Sequence, residues 1–324
     1  MKRDSVTPAD LLQLAMSGNR HAVGRLLSLV EKGGAIADEV ATVTHPLTSD
    51  ARIIGITGPP GSGKSTLVSQ LLKVITRAGL KPAVIAVDPS SPLTGGAILG
   101  DRVRIDATDT GAFIRSIATR GHSGGLALGV PGGVRVLDAV GFDPIIIETV
   151  GVGQVEVDVT ATADTTIVVA NPGTGDSVQA NKAGLLEVAD IFVVNKSDLA
   201  GADDARRDLE LMLDLSHMTG QEDPTGRRPP IVMANSLDGS GSIELWSTIV
   251  DHGNHLVSTG QIEGRRAARA RAELHSRAAD RLLAALDRAI DSASGQAIVD
   301  ALQNKDISPS EASDQLMQPI LRED

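Results

Sequence analysis

Eight residues, Gly58-Pro59-Pro60-Gly61-Ser62-Gly63-Lys64-Ser65, match the spacing Gly-x-x-x-x-Gly-Lys-Ser/Thr at every position. An apolar run, Ile53 to Thr57, enters the octet, and Thr66 to Ile75 leave it in a helical pattern. Strand, glycine-rich turn and helix in that order are what a phosphate cradle requires. The glycines let several backbone N–H groups point at one centre, and the helix that follows adds the positive end of its dipole. Lys64 would reach the β- and γ-phosphate oxygens, and the Ser65 hydroxyl would take one Mg²⁺ position. Gly58 through Thr66 are therefore expected to bind a nucleotide, with Lys64 acting in catalysis.

A second stretch says which nucleotide. Asn195-Lys196-Ser197-Asp198 follows the apolar run Ile191 to Val194 and matches Asn-Lys-x-Asp. Guanine presents N1–H and the 2-amino group as paired donors, and the Asp198 carboxylate can accept both. Adenine would leave that carboxylate unpaired, a mismatch that such sites convert into discrimination of roughly 10⁴–10⁵. Asn195 would brace the loop, and the Lys196 stem would cover the base. A further base contact is expected from the loop after the last apolar run. GTP-binding proteins usually carry Ser-Ala there, with the Ala N–H reaching guanine O6; here the pair is Asn235-Ser236. The ligands implied are GTP or GDP with Mg²⁺.

Two carboxylates stand where apolar runs end, Asp88 after 83–87 and Glu148 after 144–147. Mg²⁺ keeps most of its waters and takes few protein oxygens, so either carboxylate suits it; one could instead position the attacking water. Gly151 would let a backbone N–H meet the γ-phosphate, and Gln154 is a candidate for orienting water. The glycine-rich segment from Thr94 to Arg102 reads as a switch loop beside the phosphates. The seven His are scattered without ligand spacing, so a transition-metal site is not expected.

These residues need a scaffold, and the pattern supplies one. Apolar runs recur at 53–57, 83–87, 112–117, 144–148, 165–170, 190–194 and 230–233, separated by helical stretches. Continuous runs of this kind argue an α/β fold with a mostly parallel, doubly wound sheet. Only three Phe and one Trp contribute rings, so the core must be Val, Ile, Leu and Ala, which suits a sheet covered on both faces. Residues 1–48 read as an N-terminal helical extension, 49–258 as the nucleotide-binding domain and 259–324 as a C-terminal helical arm. The N-terminal helices would be a partner-binding arm or a layer on the main domain. The long helix at 261–290 carries Leu274, Ala278, Leu282, Leu286 and Ile290 on one stripe, and would dimerise or pack back on the core.

Composition narrows the classes. The chain has no cysteine, which excludes disulfides, thiolate metal sites and cysteine catalysis, and agrees with the cytoplasm. No apolar stretch approaches membrane-spanning length, and the N-terminus lacks an apolar signal core. With a formal charge of −11, the basic footprint of a nucleic-acid binder is missing.

Taken together, the phosphate loop, the stretch at 86–104 (AVDPSSPLTGGAILGDRVR), 145–159 (IIIETVGVGQVEVDV), 172–184 (PGTGDSVQANKAG) and Asn195-Lys-Ser-Asp198 resemble the MeaB/ArgK family of G proteins, relatives of the human MMAA protein. The likeness runs over the whole chain, including both helical extensions. It implies a P-loop GTPase that acts as chaperone to an adenosylcobalamin-dependent acyl-CoA mutase of the methylmalonyl-CoA mutase type, gating cofactor loading and protecting or reactivating the mutase. It also implies a homodimer built through the C-terminal arm. By position, Lys64, Asp88, Asp101 and Glu148 match residues the family uses for Mg²⁺, nucleotide and hydrolysis, with Ser65 as a further metal ligand. Asp176, Gln179 and Lys182 match its switch loop toward the mutase. Two departures are present: the Asn235-Ser236 pair, and the segment 120–135, which differs from the family's Ser/Thr-rich version. The alternatives are a nickel-insertion GTPase, disfavoured by the absence of Cys and of a His-rich tract, and a small-molecule kinase linked to amino-acid transport.

Overall fold

The computed structural model describes residues 6–89, 105–119, 129–149, 161–172, 188–218 and 227–322. Each of the seven apolar runs becomes a strand: β1 (Ile53–Thr57), β2 (Ala83–Pro89), β3 (Phe113–Thr119), β4 (Ile145–Thr149), β5 (Thr165–Ala170), β6 (Ile191–Val194) and β7 (Ile231–Met233). They form one sheet in the order β3-β2-β4-β1-β5-β6-β7, and every pairing is parallel. The sheet is thus wholly parallel where a mostly parallel one was expected. All strands end at the same edge, and chain order reverses around β1, where ligands of such sheets collect.

Successive side chains of a strand face opposite sides, so one apolar run must feed two cores. Ile53, Ile85, Val87, Ile145 and Ile147 face one side. There they meet α5 (Gly129–Val140) and the N-terminal helices α1 (Pro8–Met16), α2 (Arg20–Lys32) and α3 (Gly34–Thr44), through Leu11, Leu26, Leu27, Val134 and Leu137. The N-terminal helices are therefore a layer of this core. Arg20 donates to the carbonyls of Gly111 and Ala112 (2.8 and 2.6 Å), and Arg115 pairs with Glu31 at 2.7 Å, fastening α2 beside the edge strand β3.

Ile54, Ile56, Val84, Ile146, Ile167 and Val193 face the other side. They are covered by α4 (Lys64–Arg77), through Leu67, Leu71, Leu72 and Ile75, and by α7 (Ser242–Ser258), through Leu245 and Ile249. A third cluster packs α6 (Ala202–Met218) on β5 to β7 through Leu209, Leu213, Val168, Phe192 and Val194. Each of these fully buried aliphatic side chains contributes about 1.5–3 kcal/mol relative to exposure, so the sheet stands on both faces with almost no rings.

The opposite edge, where strands begin, is closed by charge. Asp164 Oδ2 accepts the Ile53 N–H at 3.0 Å and Asp190 Oδ2 accepts the Thr166 N–H at 2.8 Å, which caps β1 and β5. The first turns of the long helix α8 (Gln261–Asp291) supply the counter-charges. Arg265 meets both oxygens of Asp190 at 2.6 and 2.8 Å, and Arg269 meets Asp164 Oδ1 at 3.0 Å. His252 bridges Thr165 Oγ1 (2.8 Å) and Asp190 (3.3 Å). Burial alone would push the Asp190 carboxyl up; His252 and Arg265 more than offset it and hold the group below the ordinary value of 3.8.

Chain contacts divide the protein into Met1–Arg269 and Ala270–Asp324. Within the second unit, the rest of α8 is followed by helices at Ala293–Gln303 and Pro309–Arg322. Ser292 caps the first, and Ser308 with Glu311 forms a capping box on the second: the Glu311 N–H reaches Ser308 Oγ at 3.2 Å while Glu311 Oε2 accepts the Ser308 N–H at 2.8 Å. Leu274, Leu282 and Leu283 are exposed on α8. No helix among the described residues is long and apolar enough to cross a membrane.

Candidate nucleotide-binding site

The loop between β1 and α4 leaves the sheet at its central strand. Gly58 has φ +141°, and a Cβ there would overlap the Val169 carbonyl oxygen on β5, so only glycine passes between the strands. Gly63, with φ +88°, precedes α4; a Cβ there would strike the Asn195 carboxamide. Lys64 opens α4 and is buried at 6% exposure, its Nζ donating to the Gly58 carbonyl at 2.6 Å and the Pro59 carbonyl at 3.1 Å. The ammonium thus spans the loop from inside, where phosphate oxygens can take the place of the carbonyls. Ser62 is fully buried, and its Oγ lacks a hydrogen-bond partner among the described residues. An unsatisfied hydroxyl inside a glycine cradle fits a loop built around an anion. Pro60 and Gly61 are exposed at the loop's crest, and Thr66 is half-buried in the first turn of α4.

Ser65 Oγ donates to Glu148 Oε1 at 2.6 Å, and Glu148 is 1% exposed. Register explains the meeting: Glu148 stands opposite Ile56 on β1 and Ala86 on β2, so its carboxylate lies beside the first turn of α4. A hydroxyl and a buried carboxylate in contact are hard oxygen donors, the chemistry Mg²⁺ takes. Asp88 lies two residues beyond Ala86 on β2. The Asp88 side chain, Asp101, Gly151, Gln154, Asp176, Gln179 and Lys182 fall outside the described residues.

The base-reading segments converge on the same loop. Asn195 is buried; its Nδ2 donates to the Ser62 carbonyl at 2.7 Å, and its Oδ1 accepts the Ser236 N–H (3.2 Å) and hydroxyl (2.7 Å). Asn195 therefore braces phosphate loop and base loop together. Lys196, in the left-handed region at φ 56°, lays Nζ on the Gly61 carbonyl at 2.9 Å. Asp198 is exposed just beyond, open to a ligand. The expected pair Asn235-Ser236 divides its work. Ser236 faces Asn195, while Asn235 shapes its own loop, donating to Asp238 Oδ2 at 2.9 Å and accepting the Leu237 N–H at 3.0 Å.

Four residues that no motif marked also touch the site. Gln70, on the second turn of α4, donates to the Ser236 carbonyl at 3.0 Å. Ser69 donates to the Ser65 carbonyl and accepts the Asp106 N–H, both at 2.9 Å. Thr57 and Thr149, at the ends of β1 and β4, meet at 3.2 Å. The signal in sequence is only their spacing from the phosphate loop, which says nothing about partners more than thirty residues away.

Comparison with known proteins agrees with this geometry. Residues 23–291 match the family model described as methylmalonyl Co-A mutase-associated GTPase MeaB. A Pyrococcus abyssi protein named as a GTPase is 44% identical over 96% of both chains. The GTPase ArgK of Escherichia coli is 35% identical over 80% of both. Among solved structures, one titled LAO/AO transport system kinase superposes over 99% of this chain and all of that one, at TM-score 0.70 and 25% identity. With a phosphate loop, a guanine-reading motif and a family match that spans most of its length, the chain belongs to the MeaB family of P-loop GTPases.

Proposed function

We propose that this GTPase is a conformational chaperone of an adenosylcobalamin-dependent acyl-CoA mutase, gating cofactor loading and protecting or reactivating the mutase. The family model's own description, a mutase-associated GTPase, carries the partner. Asn195 carries the nucleotide, since one buried carboxamide joins the phosphate loop to the segments that would read guanine. The loop N–H groups and Lys64 hold the phosphates, Asn195 and Ser236 align the base loop, and Asp198 selects guanine by its paired donors. Ser65 and Glu148, with Asp88 and Asp101 assigned by resemblance, would hold Mg²⁺, which when bound offsets phosphate charge. Asp176, Gln179 and Lys182 would carry the nucleotide state to the mutase, and the exposed leucines of α8 support a homodimer through the C-terminal arm.

The test is GTPase rate with and without each cobalamin-dependent acyl-CoA mutase of the source organism, with complex formation and mass followed on a sizing column. Stimulation and co-elution with one mutase are expected. Hydrolysis indifferent to every mutase, with no complex, would remove the chaperone reading. The structural neighbour titled a transport system kinase favours a second reading, phosphoryl transfer to an amino acid. Labelled phosphate appearing on arginine or ornithine rather than in water would select it.

A further inference from the structure

The base loop is held from a direction that the guanine motifs do not account for. Gln70 projects from the helix that begins at the phosphates, and its Nε2 donates to the Ser236 carbonyl at 3.0 Å. The same carboxamide sits under Gly239, whose φ is +85°; a Cβ there would lie 3.3 Å from Gln70 Oε1. The loop closes on itself above this contact, Asn235 N–H to the Ser240 carbonyl at 3.0 Å and Gly239 N–H to the Asn235 carbonyl at 2.9 Å. Gln70 is thus the side chain of α4 on which the base loop rests.

What rests there has donors to spare. Both the Ser236 hydroxyl, at 2.7 Å, and its N–H, at 3.2 Å, point to one acceptor, Asn195 Oδ1. The hydroxyl makes the shorter bond. If the N–H turned to a ligand, the buried Asn195 oxygen would keep a partner, so no desolvation penalty would follow. An alanine at 236 could not offer this.

We propose that Gln70 is a positioning residue for purine recognition, holding the Ser236 carbonyl so that the N–H on the other side of the same residue is presented to the 6-oxo group of guanine. The inference rests on the guanine reading of the site. It links the phosphate end of α4 to the base end of the pocket through one side chain.

The probe pair is GDP and 6-thio-GDP, which keep N1–H and the 2-amino group but differ in the acceptor at position 6, where sulfur is larger and accepts poorly. Affinities are measured for the wild type and for Gln70→Glu and Gln70→Met, which preserve side-chain length and remove the donor. Thermal unfolding confirms that each variant folds. The expected result is a loss of about three- to tenfold in GDP affinity, the size of one hydrogen bond, with 6-thio-GDP changed less than about twofold. The ratio between the two then closes. Equal weakening of both nucleotides, or an unchanged ratio in both variants, overturns the role of Gln70 while leaving guanine recognition intact. ADP separates the other failure: a wild type that does not prefer GDP to ADP overturns the guanine reading and this proposal with it.

Discussion

The two edges of the sheet solve opposite problems with the same kinds of residue. At the edge where strands end, Lys64 is buried against carbonyls and Ser65 against Glu148, contacts a ligand can exchange for its own. At the edge where strands begin, Asp164 and Asp190 each accept a backbone N–H and an arginine, and both are almost wholly buried. A charge met by carbonyl dipoles is poised for a better partner, whereas a charge met by a fixed guanidinium fork has found its own. The first arrangement gives up stability to receive phosphates, and the second gives up adaptability to hold the start of α8.

Substitution should separate the two edges. The largest effect is expected from Arg265→Ala, which leaves Asp190 buried with His252 and the Thr166 N–H but without its guanidinium. Breaking a buried pair from one side costs about 3–5 kcal/mol, read as a fall in the unfolding midpoint, while GTP turnover per folded molecule stays near wild type. A loss of turnover without loss of stability would erase the distinction between the edges. Next, Lys64→Ala should lower GTP hydrolysis by about 10²–10³-fold, the loss typical of one donor to a charged transition state. Its unfolding midpoint should move far less than that of the Arg265 variant.

The smallest effect is in pH. Because the Asp190 pKa is depressed on folding, its contribution is fully present above the ordinary value of 3.8 and is lost as pH falls through the lower folded value. Wild-type stability should therefore retain an acid-side slope below that point, and Asp190→Asn should flatten it. A slope unchanged in that variant would place the acid sensitivity elsewhere.

The strands and the phosphate loop were legible because their determinants are local. Seven apolar runs bounded by turns left little freedom but to become seven strands, and Thr7-Pro8-Ala9-Asp10 and Ser308-Pro309-Ser310-Glu311 cap their helices within four residues. Asn195 and Asp198 were legible because a motif at a strand end has one place to go in a parallel sheet. The role of Arg265 and Arg269 was not. On the helical pattern of α8 they count among the arginines of the polar face, and only the packing of its first turns brings them under β5 and β6. Gln70 was hidden for the same reason, since a glutamine at mid-helix is ordinary until a loop 166 residues away lies on it.

By itself, then, the order of residues determined the fold class, the phosphate cradle and the preference for guanine, because each depends on spacing within one strand–turn–helix or on one motif at a strand end. Tertiary structure alone decided how the N-terminal helices are used, as a layer over Ile85 and Ile147. It also decided which partners the Asn195 brace takes, Ser62 on one loop and Ser236 on the other, and that arginines close the far edge of the sheet. Those outcomes turn on which side chains meet across long stretches of chain, and a buried polar group takes whichever partner the packed strands and helices bring within 3 Å.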